Sequence, residues 1–390
     1  MKFLVLGSGL QGSACAYDLL QSSDVERVTL ADVRVGDPPA FLQAYAGDRL
    51  RHLNLDVSER GATLAAMRGA NAVLSAAPYY YNADLATWAV EAGVHFADLG
   101  GNTEIVFKQK ELHNEAVAKG VSIIPDCGLA PGMVNILTQH GIDQLDRVDR
   151  VKIFVGGLPQ EPRPPLNYQV VYSLEGMLDY YTTPSWVLRE GRRTQVEALS
   201  EVERVDFDAP VGELEAFHTA GGLSTMAFRY EGEIPTMEYK TLRYPGHAPI
   251  MAAIRDLGML DLEPVQLNGT KVVPRDVAVA VMRQRLTQLD GKDLVALRVT
   301  LSGVRGGKPA TCEFELVDRC DEARGISAMM RTTGYSLAIT GLLQVSRAVR
   351  GPGVLTPDEA IPALRYIEEL RARGIDVRGS GVGIRESVSR

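Results

Sequence analysis

Residues 3–12, with the sequence Phe-Leu-Val-Leu-Gly-Ser-Gly-Leu-Gln-Gly, decide the fold of this chain. The first four, 3–6, form a short apolar run that is typical of a buried strand, and a helical pattern follows directly. Gly7, Gly9 and Gly12 lie between strand and helix with the spacing GxGxxG. The hexapeptide alone is a weak signal, but its position between a predicted strand and a predicted helix makes the motif specific.

Each glycine of this loop has a physical role. Gly7 makes the tight turn, Gly9 lets the backbone approach a pyrophosphate, and Gly12 lets helix and strand pack closely. The helix, which begins at Leu10 and Gln11, offers free N–H donors and a partial positive charge to phosphates. The loop therefore predicts a dinucleotide-binding site.

A carboxylate in the expected place supports this interpretation. Asp32 ends the second predicted strand, twenty residues after Gly12, where an acid bonds the ribose 2′-hydroxyl. Asp32 would repel a 2′-phosphate and so favours NAD over NADP, although Arg34 could accept that phosphate. Asp56, after the third strand, is predicted either to border the adenine or to cap the next helix.

Ligands in such sheets bind outside the carboxyl ends of the strands. The fourth strand runs into Ala77 and Pro78, small residues that let a cofactor lie close. The fifth strand leads to Asn102, and the sixth leads to Asp126. Together these strand ends predict a redox site.

The first 130 residues alternate short apolar runs with helical patterns, which indicates βαβ units. Helices are predicted over 58–67, with Ser58 as the N-cap, and over 103–119. The predicted strands are 3–6, 28–30, 50–55, 72–75, 94–97 and 121–124. The fold class is therefore α/β, with a Rossmann-type doubly wound parallel sheet.

The pattern changes beyond Pro131. A strand at 151–155, a loop at 159–165 and a hairpin of 294–301 with 310–317 predict an α+β domain with a mainly antiparallel sheet over 131–326. Helices are predicted at 327–349 and 357–373. They belong to a C-terminal segment, 327–390, that is predicted to complete the NAD-binding domain of 1–130. The tail of this segment is expected to fray. The antiparallel domain is predicted to bind the substrate and to join subunits into a homodimer or a multiple of dimers.

The composition excludes several classes of protein. The formal charge is −8, which argues against a nucleic-acid binder, and no apolar run is long enough for a membrane span. Four cysteines without a CxxC pair indicate thiols, and nothing resembles a metal site. A strand that starts at Lys2 leaves no room for a signal peptide, so a cytoplasmic enzyme is expected.

Several blocks carry a family resemblance. Residues 128–132, Gly-Leu-Ala-Pro-Gly, and 240–247, Lys-Thr-Leu-Arg-Tyr-Pro-Gly-His, resemble segments of the saccharopine dehydrogenase family. Residues 215–219 and 166–168 are similar to further family segments, and the resemblance covers essentially the whole chain. It implies hydride transfer between a nicotinamide and a carbon that bears nitrogen.

Within the family, the chain most resembles the lysine 6-dehydrogenases. That likeness implies NAD-dependent oxidation of the ε-amine of L-lysine to 2-aminoadipate 6-semialdehyde, which cyclises to 1-piperideine-6-carboxylate, with release of ammonia. The alternatives are a saccharopine reductase-type or carboxynorspermidine-type oxidoreductase of secondary amines, and, in another class, a non-catalytic nucleotide-sensing protein.

This chemistry needs a base, because an ammonium group cannot lose a hydride. Asp126, near the expected nicotinamide, His247, at a predicted helix start that keeps it neutral, and Lys240, if buried, are the catalytic candidates. Each also has a possible structural role. Asp126 and His247 could cap helices, and Lys240 could be a solvated side chain.

The substrate's carboxylate needs a cation, and Arg243 is the candidate because its planar guanidinium matches a carboxylate with two hydrogen bonds. Tyr168, His218 and Asn102 are the further candidates for substrate binding. Arg243 could equally be a surface arginine of a strand, and Tyr168 could simply pack.

Overall fold

The structure is a computed structural model that describes residues 1–34, 36–287 and 291–379. The tail predicted to fray lies, from residue 380 on, outside the described residues. No described helix combines the length and the apolar character needed to cross a lipid bilayer.

The N-terminal part is a parallel sheet with helices on both faces. Its elements are β1 (Lys2–Leu6), α1 (Leu10–Gln21), β2 (Arg27–Asp32), α2 (Ala40–Gln43), β3 (Leu50–Asn54), α3 (Arg60–Met67), β4 (Ala72–Ser75), α4 (Asn82–Ala92), β5 (His95–Asp98), α5 (Thr103–Lys110), α6 (His113–Lys119) and β6 (Ser122–Ile124). The strand order β6-β5-β4-β1-β2-β3 reverses between β1 and β4. This is the doubly wound Rossmann order, and it confirms the predicted fold class.

The middle of the chain builds a second sheet. Its elements are α7 (Met133–Ile142), β7 (Arg147–Pro159), α8 (Leu174–Thr182), β8 (Ser185–Arg189), β9 (Arg192–Val196), β10 (Glu203–Asp206), β11 (Glu213–His218), α9 (Met226–Arg229), β12 (Thr236–Arg243), α10 (His247–Asp256), β13 (Val265–Leu267), β14 (Thr270–Val272), α11 (Pro274–Leu286), β15 (Asp293–Arg305) and β16 (Lys308–Arg319). The order runs β10-β11-β12-β7-β15-β16, and β8 pairs with β12 and β9. The β12–β7 pair is parallel and the other neighbours are antiparallel.

The C-terminal segment returns to both sheets through α12 (Ala328–Val345), β17 (Gly353–Val354), α13 (Pro357–Ala360), α14 (Ala363–Ala372) and β18 (Arg378–Gly379). β17 extends the parallel sheet beside β6, and β18 pairs with β16. α12 packs on α1 so closely that a Cβ at Gly334 would lie 2.6 Å from the Gln11 carbonyl oxygen. The strand β17 is absent from the sequence-based prediction, because two residues carry no periodic signal. The domain limits and the pairing of subunits stay predictions.

The helix predictions need three corrections. The helix predicted over 103–119 is two helices, because the chain turns at residues 111–112, where no glycine or proline signals a break. The helix predicted over 357–373 is also two helices, since Pro362 interrupts it. Ser58 is not an N-cap: its hydroxyl donates to Asp56 Oδ1 at 2.6 Å, and Glu59 precedes the helix.

The strands of the second sheet are longer than predicted. β7 covers 147–159, instead of 151–155, and takes in Pro159, which the sequence places in a loop. β15 and β16 form the predicted hairpin, but their turn shrinks to Gly306 and Gly307. Both turn residues have positive φ, at 57° and 75°, which suits a tight two-residue turn between long strands.

Candidate functional site

The glycine loop has the shape that its sequence predicts. An added Cβ at Gly7 would lie 2.8 Å from the Ala76 carbonyl oxygen, and one at Gly12 would lie 1.8 Å from the Gly7 carbonyl oxygen. A Cβ at Gly9 would meet nothing within 4 Å. The loop therefore packs tightly on its own strand ends and leaves an open approach at Gly9, where Leu10 begins α1.

Asp32 lies beside this loop as a charged group. Its Oδ2 accepts a hydrogen bond from the Ser8 backbone N–H at 2.7 Å, and its Oδ1 accepts one from the Arg34 backbone N–H at 3.1 Å. Burial works to raise the pKa of Asp32, but these bonds outweigh burial and hold the pKa below its usual value. Asp56 is exposed and accepts from both the backbone and the hydroxyl of Ser58.

A cavity of about 580 Å³ lies between the carboxyl ends of the parallel strands and the second sheet. On the nucleotide side it is lined by Gln11, Ala76, Ala77, Pro78, Tyr79, Tyr80, Leu99 and Gly100. On the other side it is lined by residues of β7, α8, β12 and α12 and of the segment before α8, among them Val155, Tyr172, Glu175, Asp179, Tyr180, Tyr239, Thr241 and Arg243. The cavity thus joins the glycine loop to a wall of polar side chains.

The nucleotide side of the cavity fits a dinucleotide. Both polar atoms of the Gln11 amide are buried without a hydrogen-bond partner among the described residues. A buried amide of this kind is costly unless a ligand satisfies it. The open backbone at Gly9, the charged Asp32 and the Gln11 amide together form a set of groups suited to the phosphate, ribose and base of a dinucleotide.

The strand β12 places its residues alternately on two faces of the sheet. Tyr239, Thr241 and Arg243 line the cavity. Glu238 and Lys240, between them, point to the opposite face, since successive strand side chains alternate. This alternation decides which of the basic residues of the 240–247 block reaches a ligand.

Arg243 is a buried cation that the described residues leave uncompensated. It is 2% exposed, and none of the described carboxylates lies within 4.0 Å of its guanidinium. Its Nη1 donates to the Leu242 carbonyl oxygen at 2.8 Å, and its Nε has no partner within the described parts of the chain. The guanidinium lies over the Tyr168 ring, 4.7 Å from the ring centroid.

Lys240 does not reach the cavity, which corrects its prediction as a base. Its Nζ donates to Glu203 Oε1 at 2.7 Å and to the Glu201 carbonyl oxygen at 2.6 Å, on the far face of the sheet. His218 also lies on this far face, where its Nε2 is 3.1 Å from Glu201 Oε2. Both residues were predicted from sequence blocks that resemble family segments, and such a resemblance does not specify the face of the sheet.

The far face also contains a possible set of metal ligands. Glu201, His218 and Glu238 bring one ligand atom each to within 4.8 Å of one another. Arg189 Nη2 lies among them and donates to Glu201 at 2.9 Å and to Glu238 at 2.7 Å. The charge of these carboxylates is therefore already neutralised by an arginine and by Lys152, which is 3.4 Å from Glu238.

His247 is buried, at 1% exposure, and is not among the residues that line the cavity. Its Nε2 lies 3.0 Å from the Tyr181 hydroxyl and its Nδ1 lies 3.1 Å from the Leu166 carbonyl oxygen, so both ring nitrogens are engaged. Burial lowers the pKa of His247 to about 3, and the Arg243 charge lowers it further. The ring is neutral, as expected, but through burial more than through the helix start, and it is not placed to accept a proton from a substrate. Tyr168 supports Arg243 instead of lining the cavity.

Asp126 lies behind the cavity wall. An added Cβ at Gly100 would lie 1.6 Å from Asp126 Oδ1, which also accepts from the Gly101 backbone N–H at 3.1 Å. Ser224 donates to its other oxygen. Burial raises the pKa of Asp126 to about 7, with the Asp98 carboxyl adding to the rise and the Ser224 bond opposing it.

Asn102, a predicted substrate ligand, has a structural role that explains its position. Its Oδ1 accepts from the backbone N–H groups of Glu104 and Ile105, at 3.0 and 3.2 Å, and so caps α5. It borders a second cavity of about 290 Å³, which shares Tyr79 and Tyr180 with the first.

Two acidic residues that line the cavity were not predicted from the sequence. Glu175 and Asp179 both line it from α8, and each holds an arginine on its outer side, Arg283 and Arg275 respectively. Their i, i+4 spacing places them on one face of the helix. That spacing, directly after the cap residue Ser173, was a signal that could have identified them.

Comparison with known proteins agrees with this architecture. Residues 3–124 match the profile of the saccharopine dehydrogenase NADP binding domain, and residues 128–375 match that of the saccharopine dehydrogenase C-terminal domain. The chain is 23% identical over 423 residues to saccharopine dehydrogenase [NADP(+), L-glutamate-forming] of Saccharomyces cerevisiae, covering 91% of this chain and 93% of the relative. It is 24% identical over 273 residues to mitochondrial alpha-aminoadipic semialdehyde synthase of Mus musculus, covering 67% of this chain and 29% of that protein.

Solved structures share the fold. Apo saccharopine dehydrogenase (L-Glu forming) from Saccharomyces cerevisiae superposes with a TM-score of 0.79 at 20% identity, over 97% of this chain and 99% of that one. Homospermidine synthase from Legionella pneumophila, in complex with NAD, gives 0.70 at 11% identity, over 100% and 94%. With both domain profiles matched, the chain is an oxidoreductase of amino-acid substrates with a nicotinamide dinucleotide cofactor, and it belongs to the saccharopine dehydrogenase family.

Proposed function

We propose that this protein oxidises the ε-amine of L-lysine with NAD. A bound nicotinamide would supply the hydride acceptor: the ε-ammonium would lose a proton and its carbon a hydride, which would leave an iminium on the substrate. Water then releases ammonium and 2-aminoadipate 6-semialdehyde, which cyclises to 1-piperideine-6-carboxylate. Up to the open semialdehyde, atoms and charge balance with one NAD reduced, one water consumed and one proton released, and the cyclisation then returns one water.

The uncompensated charge of Arg243 carries this proposal. A buried cation without a carboxylate partner is costly, and the cost disappears when a ligand supplies the anion. The α-carboxylate of an amino acid matches the planar guanidinium with two hydrogen bonds. Arg243 is thus the residue that binds the amino-acid end of the substrate.

The charges of the cavity favour lysine over saccharopine. Among the described residues that line it, Arg243 is the sole basic side chain, whereas Glu175 and Asp179 are acidic. Glu175 and Asp179 are ion-paired with Arg283 and Arg275, so Arg243 is the cation of the described lining that remains for a ligand, and it matches the single carboxylate of lysine. Saccharopine carries three carboxylates, so two of them would enter the cavity without a cation among the described lining residues.

The walls of the cavity favour the neutral amine that hydride transfer requires. A free ε-ammonium has a pKa of about 10.4, and a desolvating pocket lowers it. Ala76, Pro78 and Leu99 supply apolar surface at the nucleotide side. Burial raises the pKa of Tyr239 and of Tyr180, so both phenols stay protonated and can hydrogen-bond an amine lone pair. Turnover is therefore expected to rise with pH into the alkaline range.

The choice of NAD rests on Asp32. Its ionised carboxylate lies beside the glycine loop, where it accepts from a ribose hydroxyl and repels a 2′-phosphate. The yeast relative is named for NADP(+), and Arg34 lies next to the same position, so NAD and NADP are to be compared directly as cofactors.

The test is the appearance of reduced nicotinamide, followed by absorbance, with L-lysine and either NAD or NADP. We expect turnover with lysine and NAD, faster at alkaline pH, and none with L-norleucine, which lacks the ε-amine. Turnover of saccharopine but not of lysine would move the assignment to the saccharopine reductase type. Tight nucleotide binding without turnover across a panel of amines would favour the non-catalytic sensor.

A further inference from the structure

Gln11 connects the glycine loop to the cavity that contains Arg243. Among residues 7–12, which the structure describes throughout, Gln11 alone lines that cavity. Asp32, the predicted partner of the adenine ribose, is not a lining residue, and Leu10, the neighbour of Gln11 in α1, is 54% exposed. The side chain of Gln11 therefore lies on the cavity side of the loop that is predicted to hold the pyrophosphate.

The amide of Gln11 has unused hydrogen-bonding capacity of both kinds. Its Nε2 can donate and its Oε1 can accept, and both atoms are buried with no hydrogen-bond partner in the described parts of the chain. Because unpaired buried polar atoms are costly, a ligand group that pairs with both atoms stabilises the complex. The rotatable bonds of a glutamine side chain let the amide turn towards a ligand in the cavity that the residue lines.

The chemistry of an amide selects its partner. A carboxylate can only accept and an ammonium group can only donate, so neither end of an amino acid pairs with both atoms of the Gln11 amide. A primary carboxamide offers a donor and an acceptor in one plane, and the nicotinamide ring carries such a group. Adenine also offers both, but Asp32, which lies beside the glycine loop, is predicted to hold the adenine half outside the cavity.

We propose that the Gln11 amide binds the carboxamide of the nicotinamide and so orients the reacting ring in the cavity. This role rests on the proposed function in one respect, the nicotinamide cofactor, and is independent of the substrate. The ring must reach the cavity, because Arg243, which binds the amino acid, lines it. Ala76 and Ala77 line the same side and leave room for a flat ring. Among the described residues that line the cavity, Gln11 has the sole amide side chain.

The direct test is calorimetric binding of NAD and of ADP-ribose to Gln11→Met. Methionine keeps the length of the side chain and removes both hydrogen-bonding atoms. NAD should bind about 30-fold more weakly, the effect of losing two hydrogen bonds between neutral groups. ADP-ribose lacks the nicotinamide and should bind as it does to the parent protein. The melting temperature of the unliganded variant should stay the same or rise, because it buries no unpaired amide at this position.

A second measurement uses the parent protein and a changed ligand. In 3-acetylpyridine adenine dinucleotide a methyl group replaces the carboxamide nitrogen, so this ligand can accept from Gln11 and cannot donate to it. The parent protein should bind it about fivefold more weakly than NAD, the effect of one lost hydrogen bond. Gln11→Met should bind the two dinucleotides with equal affinity, since it has no amide to distinguish them.

Gln21→Met is the matched control, because Gln21 lies in the same helix and its amide is already paired. Its Nε2 donates to the Tyr17 carbonyl oxygen at 3.0 Å and to the Tyr45 hydroxyl at 2.9 Å. Gln21 lines neither cavity described above. Gln21→Met should lower the melting temperature slightly and leave the binding of all three ligands unchanged.

Two results would overturn the role of Gln11 and leave the cofactor in place. Equal weakening of NAD and ADP-ribose in Gln11→Met would show that the side chain contacts the phosphates, the riboses or the adenine. Unchanged affinity for NAD would show that the amide does not bind the cofactor. If the parent protein bound neither NAD nor ADP-ribose, the cofactor of the proposed function would fail and the role of Gln11 with it. Binding of NAD without oxidation of lysine would refute the substrate alone.

Discussion

The two faces of β12 carry two buried cations with opposite surroundings. On the far face, Lys240 is 3% exposed and is paired with Glu203, within a group of acids that Arg189 and Lys152 also neutralise. On the cavity face, Arg243 is 2% exposed and has no described carboxylate within 4.0 Å. The two residues are three positions apart in the same strand, so the period of two separates them.

The difference shows how burial of a charge is to be interpreted. A buried cation with a complete set of partners is part of the scaffold, because the protein itself offsets the cost of desolvation. A buried cation without partners indicates a missing anion, and a cavity next to it indicates where that anion binds. The same reasoning applies to the unpartnered amide of Gln11 on the nucleotide side.

The largest effect is expected from Arg243→Met, which removes the uncompensated charge. Kcat/KM for lysine should fall about 100-fold, mostly through KM, since two charge-assisted hydrogen bonds to the carboxylate are lost. The melting temperature should stay the same or rise, because no described carboxylate loses its partner. Steady-state kinetics measure kcat and KM for lysine, and thermal unfolding of the same variant measures the melting temperature. A lower melting temperature with unchanged KM would make Arg243 a scaffold residue like Lys240.

Lys240→Met should give the opposite pattern. The protein should lose about 1–2 kcal/mol of stability, because Glu203 loses one of its two lysines but keeps Lys152 and is partly exposed to water. KM for lysine should change little, since Lys240 lies on the far face. Urea denaturation measures the first effect and kinetics the second. A large rise in KM with unchanged stability would refute the separation of the two faces.

Asp32→Ala extends the comparison to a carboxylate that is held by backbone groups beside an open site. NAD binding should weaken about tenfold, the effect of one lost hydrogen bond to a charged group, while NADP binding should weaken less or improve. Titration of each nucleotide by fluorescence gives both affinities. Equal losses for NAD and NADP would show that Asp32 shapes the loop instead of selecting the ribose.

The smallest effect concerns Asp126, a buried carboxyl whose pKa rises from 3.8 to about 7 on folding. The folded protein then holds a proton that the unfolded chain releases. The contribution of this proton to the free energy of unfolding is fully present below pH 3.8 and is lost as pH rises towards about 7. Asp126→Asn should flatten this part of the profile of melting temperature against pH. An unchanged profile in Asp126→Asn would mean that other groups cause its slope. Ser224→Ala removes a hydrogen bond to the Asp126 carboxylate and should make the profile steeper.

The nucleotide half was predictable from the sequence because its signals are local. Gly7, Gly9 and Gly12 lie where the spacing places them, and the order of strands follows from alternating strands and helices. The two errors in helix length differ in kind. Pro362 is a break that the sequence contains, whereas the turn at residues 111–112 has no breaking residue and depends on packing.

The candidate residues of the second sheet and its helices were predictable in type, but the placement of their side chains was not. Arg243, His247 and Tyr168 do converge, yet Arg243 alone of the three lines the cavity. Lys240 and His218 belong to the same blocks and face away from it. Glu175 and Asp179 were missed because a pair of acids at helical spacing is common on solvated helices.

The sequence by itself determined the doubly wound sheet, the glycine loop and the acid beside it, because backbone conformation and a short spacing are sufficient for each. The tertiary structure alone decided which buried charges have partners. Charge compensation depends on side chains from distant strands and helices, such as Glu203 for Lys240 and none of the described acids for Arg243. No local pattern records that pairing, since Glu203 and Lys240 lie on β10 and β12, two different strands that come together only when the second sheet forms.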